Sequence, residues 1–198
     1  MYTRAVASPF HDVRFLTSAA APGQFPADQG AEVAFAGRSN AGKSSAINTI
    51  VQRQGLARTS KTPGRTRLLN FFELAPGKRI VDLPGYGYAS VPEAERRGWV
   101  PMLEALRERE SLKGLFVIVD ARRGVTAGDE ALLDWALPQQ QVHVLLSKAD
   151  KLNRNDSAKA LQAAAAALDG RGSVQLFSAL NKSGVDAAQA RLEEWLRS

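Results

Sequence analysis

The chain has 198 residues, of which 44% are hydrophobic and 23% are charged, the balance of an ordinary globular domain. It has no cysteine, which excludes disulfide bonds and thiolate metal sites and fits a reducing cytoplasm. No stretch reaches the roughly 18 apolar residues of a membrane span, and the first residues lack the apolar run of a signal peptide. The net charge of +6 favours a polyanionic partner such as RNA, or an acidic membrane surface.

Strand and helix patterns alternate along most of the chain, after an edge strand near the N-terminus. The predicted strands are 10–18, 31–36, 68–74, 78–82, 115–120, 142–146 and 174–177. The predicted helices begin at residue 45 and near residue 92, and then cover 129–137, 156–168 and 185–196. This alternation predicts a three-layer α/β fold, with a mostly parallel central sheet and helices on both faces. We expect residues 1–30 to form an extension that packs on a domain of residues 31–198.

One segment between a predicted strand and a predicted helix matches the phosphate-loop pattern G-x-x-x-x-G-K-[ST]. It consists of Gly37, Arg38, Ser39, Asn40, Ala41, Gly42, Lys43 and Ser44. Such a loop wraps its backbone N–H groups round a phosphate at a helix N-terminus. Lys43 would reach the outer phosphates and the Ser44 hydroxyl would bind Mg²⁺. A glycine turn with an incidental lysine is the alternative, and the flanking strand and helix favour the nucleotide site.

A second motif follows the predicted strand 78–82, and comprises Asp82, Leu83, Pro84 and Gly85. In phosphate-loop NTPases an aspartate at this strand end holds Mg²⁺, usually through water, and the glycine N–H contacts the terminal phosphate. The same four-residue pattern alone is a common turn. Its place after the second buried strand makes it a candidate part of the nucleotide site.

A third motif closes the predicted strand 142–146 and resembles the guanine-reading pattern [N/T]-K-x-D. It comprises Ser147, Lys148, Ala149 and Asp150. Asp150 would accept hydrogen bonds from two guanine N–H groups, which adenine lacks, while the Lys148 stem would lie along the base. The predicted last strand ends at Phe177, Ser178 and Ala179, whose backbone N–H groups we expect to face the guanine O6 atom.

Together these motifs resemble the Era-like GTPases, and closely the EngB (YsxC/YihA) family of bacterial ribosome-assembly GTPases. Besides the phosphate loop, the resemblance rests on the sequences SKTPGRT (60–66) and DLPGYGYA (82–89). It implies that Thr66 completes the Mg²⁺ coordination, where the residues alone leave Thr59 and Thr62 equally plausible. The nucleotide-binding residues that it adds are Gly64, Arg65, Thr66, Arg67 and Leu68. Ser147 departs from the family pattern, which usually has threonine there.

The resemblance implies a cytoplasmic, monomeric, slowly GTP-hydrolysing switch that is required for assembly of the large ribosomal subunit. Its partners would be GTP or GDP, Mg²⁺, and the large subunit with its ribosomal RNA, and a link to cell division or septation is part of the same expectation. The alternative is a nucleotide-gated protein-binding module in cell division that makes no direct contact with RNA.

Two residues of the nucleotide motifs bear on hydrolysis, although no catalytic base can be assigned. Tyr86 stands where Ras-like proteins carry a water-orienting glutamine, so we expect slow unassisted hydrolysis. Asn40 is a candidate ligand of K⁺, which would stabilise charge together with Lys43. The alternative for Asn40 is a side chain that braces the backbone.

The remaining candidate residues are basic, aromatic or imidazole side chains. Basic residues gather in or beside the two loops expected to change with the nucleotide, and form either a solvated face or a footprint for RNA phosphates: Arg58, Lys61, Arg65, Arg67, Arg96 and Arg97. Trp99, Trp135 and Trp195 are expected in the core. His11 and His143 have no partner pattern for metal or triad chemistry and are expected to be structural.

Overall fold

A computed structural model describes residues 10, 12–57, 68–86 and 93–197, with no side-chain description for 93–99. The strands are β1 (Arg14–Ala19), β2 (Ala31–Gly37), β3 (Leu69–Ala75), β4 (Lys78–Asp82), β5 (Leu112–Asp120), β6 (Gln141–Ser147) and β7 (Ser173–Leu176). The helices are α1 (Lys43–Ile50), α2 (Glu93–Arg107), α3 (Ala127–Trp135), α4 (Arg154–Leu168) and α5 (Val185–Trp195).

The seven strands form one sheet in the order β1-β3-β4-β2-β5-β6-β7. The β1–β3 and β3–β4 pairs are antiparallel, whereas all pairs from β4 to β7 are parallel. The predicted mostly parallel sheet is therefore confirmed. The predicted edge strand is also present, but its regular pairing begins at Arg14 rather than at Phe10.

Continuous apolar runs form the central strands because helices cover both faces of the sheet. Every residue of β2 is buried, and alternate side chains enter two separate hydrophobic clusters. Phe35 faces α1 and α5, and its ring stacks on Phe116 at a centroid distance of 4.9 Å. Ala34 faces the other cluster, to which α2, α3 and α4 contribute. These clusters give the predicted three-layer architecture.

A buried ionic network fastens the chain before β2 to the sheet. Glu32 is fully buried and accepts hydrogen bonds from both Arg79 and Arg109. The same two guanidinium groups donate to the carbonyl of Ala27, and Arg79 also donates to that of Gln29. Since β1 pairs with β3, residues 14–19 belong to the central sheet. The domain boundary at residue 30 stays a prediction.

The tryptophan and histidine side chains that are described lie within the packed structure. Trp195 is buried and donates from Nε1 to Gln141, whereas Trp135 is only half-buried against the cluster on the α2 side. His143 is buried between Ser173 and Gln175, and burial lowers its pKa to about 4. A neutral, hydrogen-bonded imidazole fits the predicted structural role. The predictions for the Trp99 side chain and for His11 lie outside the described residues.

None of the described helices combines the length and the apolar character that a membrane crossing requires.

The direction of the parallel strands determines where the site lies. β2, β4, β5 and β6 end at the same edge of the sheet, and the three sequence motifs follow β2, β4 and β6. Ligands of open α/β sheets bind beyond this edge.

Candidate nucleotide-binding site

The phosphate loop joins the end of β2 to the first turn of α1. A Cβ atom at Gly37 would lie 2.8 Å from the carbonyl oxygen of Ile118, so only glycine fits where the chain leaves the sheet. Asn40 and Gly42 both have positive φ, at 66° and 102°. Asparagine and glycine tolerate this left-handed conformation best. The loop therefore curls back before α1, which begins at Lys43, two residues earlier than predicted.

Lys43 and Asp82 form an ion pair at the centre of the site. Only 12% of the Lys43 side chain and 8% of the Asp82 side chain are exposed. Burial raises the pKa of Asp82, and the Lys43 ammonium opposes part of that rise. The structure thus brings together the two charged groups that the sequence assigned to the phosphates and to Mg²⁺. The carboxylate of Asp82 and the hydroxyl of Ser44 are hard oxygen donors, which is the ligand chemistry that Mg²⁺ takes.

Gly85 and Tyr86 lie against the phosphate loop. The N–H of Ser39 donates to the carbonyl of Tyr86 at 2.9 Å, and a Cβ atom at Gly85 would stand 2.9 Å from the Ser39 Oγ atom. The Tyr86 hydroxyl donates a hydrogen bond to Asp129, in the first turn of α3. Burial, followed by this contact, raises the pKa of Tyr86. Tyr86, which stands where Ras-like proteins carry a glutamine, is therefore anchored to α3.

The side chains of Ser147 and Lys148 donate hydrogen bonds to the phosphate loop. Ser147 is buried, and its hydroxyl donates to the carbonyl of Ala41 at 2.5 Å. Lys148 Nζ donates to the carbonyl of Asn40 at 2.6 Å and to Asp120 at 2.9 Å. Ser147, where the family usually has threonine, thus keeps the hydroxyl that links the base-reading motif to the loop. The carbonyl of Asn40 is held here, whereas its side chain makes no hydrogen bond to the described residues.

Asp120 supports this arrangement, although the sequence motifs did not identify it. It is buried at the end of β5 and accepts hydrogen bonds from Arg122 and Lys148. The hydrogen bonds from Arg122, and then from Lys148, hold the pKa of Asp120 well below its usual range, against the effect of burial. One sequence signal was present, since Asp120 ends a buried parallel strand at the edge that carries the other motifs.

Asp150 is positioned by the end of β7. The Ser178 hydroxyl donates to Asp150 Oδ1 at 2.6 Å, and this bond lowers the pKa of the carboxyl group. The N–H of Ala149 donates to the carbonyl of Phe177, which joins the two connections. A carboxylate is therefore fixed at the place where the base-reading motif predicted one.

The prediction for the backbone N–H groups of residues 177–179 needs a correction. The N–H of Phe177 donates to Leu146, and the N–H of Ser178 donates to Ser183, because the chain folds back before α5. Both groups are therefore occupied, and the Phe177 ring is buried in the core. The N–H of Ala179 makes no hydrogen bond to the described residues and stays a candidate for guanine O6.

Part of the predicted site lies outside the described residues. This part comprises residues 58–67, with Gly64, Arg65, Thr66 and Arg67, the alternatives Thr59 and Thr62, and the basic residues Arg58 and Lys61. The side chains of Arg96 and Arg97 are also outside the description. Leu68 is described, immediately before β3.

Comparison with known proteins supports the assignment of these motifs. The family model described as 50S ribosome-binding GTPase matches residues 32–148. A probable GTP-binding protein EngB from Aromatoleum aromaticum is 52% identical, over 94% of this chain and 89% of its own length. The EngB of Coxiella burnetii is 47% identical, over 97% of this chain and 96% of its own. The chain belongs to the EngB family of GTP-binding proteins.

Solved structures agree with the fold. A crystal structure of a probable EngB has a TM-score of 0.62 at 23% identity, covering 84% of this chain and 99% of that one. An Aquifex aeolicus Era variant bound to GDP and AlF4⁻ has a TM-score of 0.64 at 18% identity, covering 84% of this chain and 57% of that one. The predicted EngB family, α/β GTPase fold and enzyme class are thus confirmed.

Proposed function

We propose that this EngB-family chain binds GTP and GDP in preference to ATP, and uses the two states as a switch in assembly of the large ribosomal subunit. The observation that carries the proposal is the fixed Asp150 carboxylate beside the phosphate loop. Guanine offers two N–H donors to such a carboxylate, whereas adenine offers it no such pair of donors. A site of this type can reject the wrong ligand by about 10⁴-fold.

The phosphates would bind along the loop from Asn40 to Ser44, with Ala149 and Lys148 beside the sugar and base. Lys43 would exchange Asp82 for the outer phosphates, which leaves Asp82 available to Mg²⁺ through water. Ser44 and Thr66 would hold the ion directly, Thr66 by resemblance to the family. Mg²⁺ neutralises phosphate charge when it is bound. Loss of the terminal phosphate would release Thr66 and the N–H of Gly85.

Hydrolysis by the isolated chain should be slow. The Tyr86 hydroxyl is held by Asp129, and no amide stands at this position to orient a water molecule. Asn40 would then hold K⁺ near the phosphates, and Lys43 would share the stabilisation of charge. The side chain of Asn40 makes no hydrogen bond to the described part of the chain, which supports this role over backbone bracing, since the backbone contact is made by its carbonyl.

The ribosomal partner rests on the family description, 50S ribosome-binding GTPase, and on the net charge of +6. We propose a monomeric cytoplasmic protein that contacts ribosomal RNA of the large subunit, with a link to cell division or septation. Curated EngB relatives are described as probable GTP-binding proteins. The alternative, a protein-binding module in cell division without RNA contact, is an outcome of the test.

Calorimetry of the full chain with GTP, GDP and ATP, with and without Mg²⁺, tests the nucleotide assignment. Ser44→Ala and Thr66→Ala should weaken the triphosphate state more than the diphosphate state. Replacement of K⁺ by Na⁺ should slow turnover, and Asn40→Ala should abolish that difference. Comparable affinity for ATP and GTP would contradict the proposal. Association with a protein partner that persists without RNA would favour the alternative.

A further inference from the structure

A cavity of about 140 Å³ lies beside the phosphate loop, on the side that faces α3. Its walls come from the loop, from the end of β5 and from the first turn of α3, and include Arg38, Asn40, Arg123 and Thr126. The volume far exceeds the roughly 10–15 Å³ that a single water molecule requires. The cavity can therefore admit a small group from solvent.

This cavity shares part of its lining with the nucleotide motifs, since Asn40, Ala41 and Lys148 belong to both. Lys43, Ser44 and Asp82, which face the outer phosphates and Mg²⁺, do not line it, and neither does Asp150. A ligand here would thus sit beside the bound nucleotide and contact the same loop.

The charged groups of the cavity leave positive charge unneutralised. Its two carboxylates have internal partners: Asp120 is paired with Arg122 and Lys148, and Asp129 accepts from Thr126 and Tyr86. Both groups are buried, so neither is available to a second cation.

Two further guanidinium groups belong to residues that line the cavity, Arg38 and Arg123. Neither group makes a hydrogen bond or ion pair with a described carboxylate, although Arg38 lies near enough to Tyr86 to lower the pKa of its hydroxyl. Arg123 is exposed. Guanidinium groups in a concave site are the chemistry that recognises a phosphate group, because the planar fork donates two hydrogen bonds at once.

Further cations continue along the same edge of the sheet. Arg123 follows β5, Lys151 and Arg154 follow β6, and Lys182 follows β7, and all four are exposed. Since β5, β6 and β7 are successive neighbours in the sheet, these residues succeed one another along its edge, where the Lys151 ammonium is paired with Asp150 at 3.4 Å. A row of cations beside a phosphate-sized cavity fits a chain of phosphates better than a single phosphorylated metabolite.

We propose that the cavity holds a backbone phosphate of an RNA strand that runs along this edge, with Arg123 as its principal contact. The inference rests on the proposed ribosomal function, and names as principal contact Arg123, a described residue outside the nucleotide motifs. An RNA phosphate in the cavity would also contact the phosphate loop, which lines it. RNA and nucleotide would thus contact the same loop.

The test compares Arg123→Ala with Arg53→Ala in the full chain. Arg53 is exposed, makes no side-chain hydrogen bond or ion pair with a described residue, and follows α1, which runs away from the phosphate loop. Both variants remove one positive charge, and both should retain GTP affinity by calorimetry. Binding of a fluorescently labelled 20-nucleotide single-stranded RNA is measured by anisotropy across a salt series, with a non-hydrolysable GTP analogue present.

Arg123→Ala should weaken RNA binding about two- to fivefold, the range of one exposed ion pair. It should also reduce the magnitude of the log–log salt slope by about 0.7, the value for one phosphate of a single strand. Arg53→Ala should change neither quantity. The proposal would be overturned if Arg123→Ala left RNA affinity and the salt slope unchanged, or if Arg53→Ala changed them equally.

Two further experiments identify the ligand of the cavity, and test the cavity separately from the proposed ribosomal function. Inorganic phosphate should compete with RNA more than chloride at equal ionic strength, and this difference should disappear in Arg123→Ala. Poly-glutamate is the control for an acidic peptide. If it binds the wild-type chain as tightly as RNA does, and if Arg123→Ala weakens its binding by the same factor, the cavity takes an acidic peptide and the RNA proposal is overturned. Wild-type sedimentation with large-subunit particles tests the proposed function separately. Particle binding without an Arg123 effect on RNA would overturn only the cavity, whereas loss of both particle and RNA binding would overturn both.

Discussion

The hydroxyl of Tyr86 donates a hydrogen bond to the buried carboxylate of Asp129, and this bond joins the segment after Gly85 to α3. Asp129 also accepts from the N–H and the hydroxyl of Thr126, in the capping box that starts the helix. The Tyr86 ring packs on the same turn, where a Cβ atom at Gly128 would lie 3.2 Å away. A movement of Gly85 with the nucleotide would therefore act on α3 through Tyr86.

The Tyr86–Asp129 contact should be measurable as a coupling energy. Tyr86→Phe removes the donor and should lower the free energy of unfolding by about 1.5–3 kcal/mol, the range for a hydrogen bond to a charged group. A double-mutant cycle with Asp129→Ala, followed by urea denaturation, should give a coupling of about 1 kcal/mol. Additive effects of the two changes would show that the contact contributes nothing to stability.

Ser147→Ala should weaken nucleotide binding although the side chain does not point at the base. The change leaves the buried carbonyl of Ala41 without its donor, which costs about 1–3 kcal/mol. We expect a lower melting temperature together with a higher Kd for both GTP and GDP. Ser147→Thr keeps the hydroxyl and should restore both quantities in thermal denaturation and calorimetry. Equal behaviour of the two variants would contradict the bracing role.

Asp120 should act as a positioning residue for Lys148. Asp120→Asn keeps the size of the side chain but removes the charge that holds the Lys148 ammonium, so GTP and GDP should both bind about three- to tenfold more weakly. The ratio of the two affinities should stay constant, since Asp120 lies away from the terminal phosphate. Asp134→Asn, which changes an exposed partner of Arg171 in the same way, is the matched control. The account would fail if both variants bound nucleotide alike.

His143 should make stability depend on pH between about 6.5 and 4. Burial lowers its pKa to about 4, from an ordinary 6.5, so the folded protein resists protonation. The corresponding stability is complete above pH 6.5 and is lost as the pH falls towards 4, to a total of about 3 kcal/mol. Urea denaturation at pH 7 and 4.5 should show a loss about 2 kcal/mol smaller in His143→Gln. Carboxylate effects cancel in this comparison, and identical losses would contradict the prediction.

Patterns along the chain were sufficient to predict the sheet and the three motifs. β5 and β6 are continuous apolar runs that only a doubly covered sheet can bury, and the end of β6 places Lys148 against the phosphate loop. The start of β1 was predicted too early, because apolar residues at 10 and 13 are buried without joining the regular ladder.

Contacts between distant residues account for what the patterns missed. Asp120 gains its role from Lys148, 28 positions later, and Asp129 from Tyr86, 43 positions earlier. Neither pairing leaves a local period or spacing. The N–H of Ser178 was assigned to guanine O6 because Ser178 lies at the end of the last strand, but here the turn before α5 brings back the carbonyl of Ser183.

The most direct test of a guanine-dependent ribosomal switch uses Asp150→Asn. The amide should shift preference towards xanthosine nucleotides, whose ring carbonyl accepts a hydrogen bond where guanine carries an amino group. Large-subunit particles are sedimented with wild type and variant, each with GDP or with non-hydrolysable analogues of GTP and xanthosine triphosphate. Wild type should bind particles with the GTP analogue and release them with GDP, and the variant should bind only with the xanthosine analogue. Particle binding that is the same with every nucleotide would contradict the account, and so would a variant that still binds particles with the GTP analogue.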